Sequence, residues 1–229
     1  MNPPFTVGRR PSDANECWNT FRIKDITTYV NRGIAPKYVD GESVTGFLAF
    51  SQKCVLPEGK VNPDLGRPIE EPDASESESV LRSGDITINS TGTGTLGRAG
   101  IVHSLSPDAQ VAIADGHVTI VRADTDRVLP QYLAYLLGTE AFNIVANECL
   151  AVGSTNQMEL GRDSVRTLGV EIPSLEEQRA LVALLNGETR RVDETIRELE
   201  SQIALLQEHR EAIITAAVTG QLRPEKVTS

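Results

Sequence analysis

The 229-residue chain has no run of 18 consecutive apolar residues, which excludes an ordinary transmembrane helix. Its opening stretch, MNPPFTVGRRPSDANE, lacks the apolar core of a secretory signal, so a cytoplasmic location and no membrane partner are expected. Cysteine is scarce: Cys17, Cys54 and Cys149 are an odd, scattered set that forms neither a disulfide framework nor a CxxC metal site. The three histidines, His103, His117 and His209, are equally dispersed, and no metal or other cofactor is expected. Signatures of catalysis are missing too. There is no GxSxG or HExxH, and Gly59-Lys60 is followed by Val61 where a phosphate-binding loop needs Ser or Thr. Pro-Asp pairs at 63–64, 72–73 and 107–108 lack the downstream acid-x-Lys of a nuclease, because the lone downstream lysine, Lys226, has Pro224 two residues before it. The chain reads as a non-enzyme.

Positive charge is also short. Lys plus Arg number 22 against 32 Asp plus Glu, a net of −10, which argues against an autonomous nucleic-acid binder. Residues 63–80 alone hold six acids and one arginine; with their Pro, Ser and Glu they read as a solvated loop. The chain as a whole has ordinary globular composition, 39% hydrophobic and 24% charged, and its length is enough for one or two compact domains.

Short β-branched segments at 21–30, 46–50, 84–90, 99–105 and 117–123 are bounded by Gly, Pro, Asp or Ser and predict strands. Residues 85–89 and 117–120 alternate polar and apolar, so each is expected to bury one face. Pro130 opens a helix over PQYLAYLL that Gly138 stops, and a second short helix follows over TEAFNIVANE. Residues 153–165 read as a loop with a short helical piece, and LGVEIP as a closing strand.

At Ser174 the character changes. Ser174-Leu175-Glu176-Glu177 is a capping box that starts a helix, and Asn186-Gly187 is a stop or kink. Beyond it Val192, Ile196, Leu199, Ile203, Leu206, Ile213 and Ala217 repeat at heptad spacing with one polar break at Arg210. Taken as helix, 188–218 is a rod of roughly 46 Å that needs a partner helix to cover its stripe, or else its own globular domain.

Gly92-Thr93-Gly94-Thr95-Leu96-Gly97 matches GxGxxG and follows a strand. A dinucleotide fold requires a helix next; Arg98-Ala99-Gly100-Ile101-Val102 is turn into strand, so the motif reads as a glycine-rich hairpin. Asn89, Ser90, Thr91, Thr93, Thr95 and Arg98 crowd this turn, and small hydroxyls, open backbone amides and a guanidinium suit phosphates or base edges.

In combination these segments resemble the specificity (S) subunit of type I restriction–modification systems. Leu81 to Arg98 is similar to that family's L-x-x-GD…GTGT-x-GR hairpin, and Gly153-Ser154-Thr155-Asn156-Gln157 to its GSTNQ loop. Ile172 to Gln178 is similar to its IP-x-L-x-EQ segment, Arg210 to Gly220 to its R-x-x-x-I-x-x-AVTG tail, and Arg32 to Tyr38 to its early strand and loop. The resemblance spans roughly residues 18–223 and keeps the motifs in order. It implies a mixed α/β (α+β) target recognition domain, residues 1–170, followed by a long coiled-coil-forming helix, residues 171–229, for dimerisation and spacing. It also implies binding of double-stranded DNA, recruitment of adenine-methyltransferase (modification) subunits and of a restriction/translocase subunit, and no catalysis. A full S subunit carries two such units with paired antiparallel helices; this chain has one, so a homodimer through Val192, Ile196, Leu199, Ile203, Leu206 and Ile213 is expected. The residues expected to face DNA are Arg32, Lys37, Gln52, Lys53, Asn89, Thr91, Thr93, Gly94, Thr95, Arg98, Ser154, Thr155, Asn156 and Gln157. The rival reading, favoured by the acidic balance, is a coiled-coil scaffold whose α/β head binds protein.

Overall fold

The computed structural model describes residues 6–7, 18–39, 46–73, 78–103, 111–153 and 158–221. The chain divides into two compact units, Met1–Leu181 and Val182–Ser229. No helix among the described residues is long and apolar enough to cross a membrane.

The first unit is built on a four-stranded antiparallel sheet in the order β3 (Thr27–Arg32), β9 (Val118–Ala123), β6 (Ile86–Asn89), β7 (Ala99–Ile101). A second sheet has β4 (Phe47–Phe50) at its centre, antiparallel to β5 (Arg67–Pro68) and parallel to β8 (Val111–Ala114). β1 (Thr6–Val7) and β2 (Asn19–Arg22) flank β12 (Gly169–Ile172), and β10 (Ala151–Val152) pairs with β11 (Glu159–Leu160). Phe50, Cys54, Leu81, Val102, Ala112, Ala114, Val118 and Ile120 form one buried cluster, and Ala49, Ile69 and Ile113 a second. Alternate residues of β4 and β8 thus feed opposite cores, as the period of two requires.

The segment 21–30 is two strands, not one: Ile23–Asp25 turns as a 3-10 helix whose Ile23 is fully buried. β8 falls where no strand was expected. The described parts of the acidic tract, 63–73 and 78–80, depart from a solvated loop. Pro63–Leu65 coils as a 3-10 turn capped by the Asn62 side chain, β5 pairs with β4, and Ile69 is core.

The expectation that 85–89 and 117–120 bury one face is also overturned. Asp85, Thr87, Asn89 and Thr119 are as buried as their apolar neighbours. Burial of polar groups without partners is costly, and here most find one. Arg122 Nε and Nη2 each donate to Asp85 at 2.8 Å, and Arg82 N donates to the same carboxylate at 2.8 Å. The Thr87 hydroxyl donates to Gly100 O at 3.2 Å, and the Ser90 and Thr119 hydroxyls share a hydrogen bond of 2.5 Å.

Pro130 occupies the first turn of α1 (Pro130–Leu137), where a missing N–H costs nothing, and α1 ends at Gly138. Thr139 caps α2 (Glu140–Val145) by accepting from Phe142 N at 3.3 Å; one π-helical turn, Ala146–Leu150, follows. α3 spans Arg162–Thr167.

α4 runs without interruption over Leu175–Val218, 44 residues and about 66 Å at 1.5 Å per residue. Ser174 Oγ accepts from Glu177 N at 3.3 Å, the expected cap, while Glu177 Oε1 accepts from the Trp18 indole at 3.2 Å. Gln178, one turn in, is fully buried. Its Oε1 accepts from Leu129 N at 2.9 Å and its Nε2 donates to Pro173 O at 3.0 Å and Arg127 O at 3.3 Å. Gly187 does not stop the helix; one mid-helix glycine costs about 1 kcal/mol, too little to break a cooperative run of this length.

Candidate nucleic-acid interface

The loop between β6 and β7 is held in a fixed shape from both sides. Gly92, Gly94 and Gly97 all have positive φ, at 101°, 77° and 80°. A Cβ on Gly97 would lie 2.9 Å from the Ala146 Cβ, so this position requires glycine for space as well as for φ, whereas one on Gly92 would meet side-chain ends of Gln52 and Thr95 and it is the positive φ that favours glycine there. On one side the Thr95 hydroxyl reaches Gln52 Oε1 at 3.3 Å. On the other, Asn143 Nδ2 and Asn147 Nδ2 donate to Leu96 O at 3.3 and 3.0 Å. The loop tip, Thr93-Gly94, is exposed, with nothing within 4 Å of the Gly94 Cβ position.

The β10–β11 pair comes to the same edge. β10 and β11 pair antiparallel with Val152 opposite Glu159, so Gly153–Met158 connects them; Ser154, Thr155, Asn156 and Gln157 lie outside the described residues. β11 is joined to the glycine-rich loop: Thr91 bridges Glu159, and Leu160 N donates to Ser90 O at 2.8 Å. The turn before β9 completes the edge, with Thr91 Oγ1 and His117 Nδ1 sharing a hydrogen bond of 2.9 Å. Below it Asp115 is buried. Its Oδ1 accepts from His117 N at 2.8 Å and its Oδ2 from the Tyr38 hydroxyl at 3.4 Å; burial pushes the carboxyl up, against those hydrogen bonds.

The expected DNA-facing residues thus fall into distinct settings. Thr93, Gly94 and Lys53 are exposed. Lys37 is exposed and pairs with Glu70 at 3.9 Å. Thr91, Thr95 and Gln52 are half-buried and brace the loop. Arg98 is half-buried, its Nη1 donating to Val55 O at 3.3 Å. Asn89 points inward and is fully buried, its Nδ2 donating to Gln52 O at 3.1 Å. Arg32 ion-pairs with Glu159 and donates from Nη2 to Gly116 O at 2.5 Å.

Sequence reading missed His117, Glu159, Asn143 and Asn147. Asn143 lies in α2 and Asn147 in the π-helical turn that follows it, four residues on, and both reach Leu96 O; the first two carry no local signal. Among the described residues no cluster of His, Cys, Asp and Glu fits a metal. Cys54 is buried, its thiol pushed up to about 11 by burial, so it is no nucleophile.

No protein-family model matches this sequence, and no curated protein does. Solved structures do. A chain from a structure concerned with complex assembly and conformational transition of the type I restriction–modification system aligns with a TM-score of 0.65 at 18% identity, over 92% of this chain and 48% of that one. The HsdS subunit from Thermoanaerobacter tengcongensis aligns at 0.54 with 20% identity, over 96% and 53%. The type I restriction–modification S subunit from M. genitalium aligns at 0.52 with 13% identity, over 84% and 43%. This chain spans about half the length of the chains it resembles. The mixed α/β unit followed by a long helix is therefore a fold shared with specificity subunits of type I restriction–modification systems.

Proposed function

We propose that this chain is the DNA-sequence-recognition subunit of a type I restriction–modification system. In this role it reads one half of a bipartite target and recruits adenine-methyltransferase and restriction subunits without catalysing a reaction itself. The fold shared with S subunits carries the reading. The exposed Thr93-Gly94 tip, braced from two sides and joined through Glu159 to the 153–158 connection, supports it. Rigid loops on a sheet edge suit groove insertion: hydroxyls and backbone amides hold phosphates while amide or guanidinium side chains reach base edges. Like other machinery that acts on chromosomal DNA, the subunit works in the cytoplasm.

Net charge shapes the mechanism. At −10 the chain alone releases few counterions from DNA, so its affinity is weak until methyltransferase subunits add basic surface. Two copies pairing antiparallel through α4 supply the second reading head. Two-fold symmetry then makes the target a gapped palindrome with identical, inverted half-sites.

The test is co-expression with adenine-methyltransferase subunits of this restriction class, followed by mapping of methylated adenines. A gapped palindromic motif that disappears when this chain is omitted is expected. An asymmetric motif overturns the homodimer, and no methylation together with no DNA binding by the complex favours the protein-binding scaffold.

A further inference from the structure

Arg32 was expected to touch DNA. Its surroundings assign it another task. It ends β3, its side chain is 26% exposed, and its two terminal nitrogens are divided between two segments: Nη1 pairs with the Glu159 carboxylate, Nη2 donates to Gly116 O. Glu159 in turn sits where the 153–158 connection enters β11, and its backbone bridges Thr91 of the glycine-rich loop. Gly116 belongs to the turn whose His117 bonds Thr91. One guanidinium therefore joins the turn at 116 to the end of the 153–158 connection, and the third party to both, Thr91, starts the glycine-rich loop. Glu159 is itself anomalous at this edge. A half-exposed carboxylate, 51% accessible, beside a phosphate backbone repels it unless neutralised, and the Arg32 guanidinium is the cation paired with it.

We propose that Arg32 and Glu159 are a positioning pair, which fixes β11 in register with the 91–97 loop and cancels the Glu159 charge at the DNA-facing edge. The pair governs selectivity between DNA sequences, and neither residue contacts a base. This rests on the DNA-recognition reading above.

The experiment uses the assembled methyltransferase complex and measures affinity for cognate and scrambled duplexes at several salt concentrations, for wild type, Glu159→Gln, Arg32→Lys, Arg32→Gln and the Arg32→Gln/Glu159→Gln double variant. Glu159→Gln is the decisive variant, because it is isosteric and leaves the Arg32 bond to Gly116 in place. It should tighten binding to scrambled DNA by removing a negative charge, yet lower the cognate-to-scrambled ratio about tenfold. Arg32→Lys should lose as much selectivity as Arg32→Gln, since an ammonium lacks the two-pronged geometry that spans Glu159 and Gly116. The double variant should be no less selective than Arg32→Gln alone. If Glu159→Gln keeps the wild-type ratio while Arg32→Gln weakens all duplexes and Arg32→Lys restores them, Arg32 is a phosphate contact and the proposal is overturned. Amide hydrogen exchange at Leu160, which donates to Ser90 O, separates this outcome from failure of the DNA reading. Even if the wild-type complex ignores DNA sequence, Glu159→Gln must accelerate exchange there, and unchanged exchange overturns the pair.

Discussion

The globular unit and the helical unit answer the same problem in opposite ways. In the first, even polar side chains of the central strands are buried and most are partnered inside the fold: Asp85 takes Arg122 and Arg82, Thr87 takes Gly100, Ser90 takes Thr119. In the second, backbone hydrogen bonds are satisfied along α4 while the apolar seam is not covered. Val192, Ile196, Leu199, Ile203, Leu206 and Ile213 are 46–67% exposed. A fold that closes on itself is specified by its own sequence, whereas a seam left open is specified by a partner. The contrast predicts that the two regions will respond differently to the same kind of substitution.

The largest effect should come from the open region, and only in the assembled state. Leu199→Ala removes a side chain that is half-exposed in a single chain, so an isolated monomer loses almost nothing. If two seams face each other, each copy loses a buried leucine worth about 2–5 kcal/mol, counted twice per dimer. Sedimentation equilibrium should therefore show the dimer dissociating at concentrations where wild type remains paired, with the near-UV signal of the globular unit unchanged. A dimer that survives Leu199→Ala with Ile203→Ala contradicts pairing through this seam and removes the contrast between the two units.

Next comes the closed region. Asp85 is 1% exposed and holds Arg122 through two hydrogen bonds, and the hydrogen bonds to Asp85 raise the Arg122 pKa further above its ordinary value. Asp85→Asn keeps the shape and strands the guanidinium against neutral amide. Breaking a buried pair by neutralising one partner costs about 3–5 kcal/mol. Urea denaturation should register that loss at any protein concentration, in contrast to the seam variants. A cost under 1 kcal/mol would mean that water reaches Arg122, whose guanidinium also lies 5.3 Å from the Tyr29 ring centroid.

These two regions also differed in how far their sequence could be read. Helix starts were legible because they rest on local chemistry: Pro130 in the first turn of α1, Thr139 before α2, Ser174 before α4. The heptad seam was legible because it is periodic. What escaped was non-local. Alternation at 85–89 shows polar residues at every second place, but whether that face meets water or another layer depends on Arg122, 37 positions away. Gln178 is a surface residue by type; it is buried because the Leu129 amide and the Arg127 and Pro173 carbonyls surround it. The candidate interface shows the same limit. The glycines and threonines of the 91–97 loop were visible as a motif, yet Asn89 turns inward and Arg32 turns to Glu159, outcomes that depend on neighbours 37 and 127 residues distant. A stop at Gly187 was over-read, because a local helix-breaker weighs little against cooperativity.

Gly187 offers the smallest effect and the finest probe of the comparison. Counting heptads back from Val192 places it on the outer face, with Leu185 on the seam and Gly187 two residues beyond. A Cβ there meets nothing within 4 Å. Gly187→Ala therefore changes only the backbone: alanine restricts the unfolded chain and favours helix by about 1 kcal/mol. If the unit draws its order from its own backbone and from pairing at the seam, that gain should appear in full, as a rise in the melting midpoint followed by the helical signal at 222 nm. The denaturation of the globular unit should stay where it is, since the added methyl lies outside it. The methylated motif and its gap should also be unchanged, because the helix neither lengthens nor rotates. Should Gly187→Ala instead leave the melting unchanged while altering the gap or abolishing methylation, the outer face at 187 is itself a contact or a bending point. The helical unit would then depend on more than its seam.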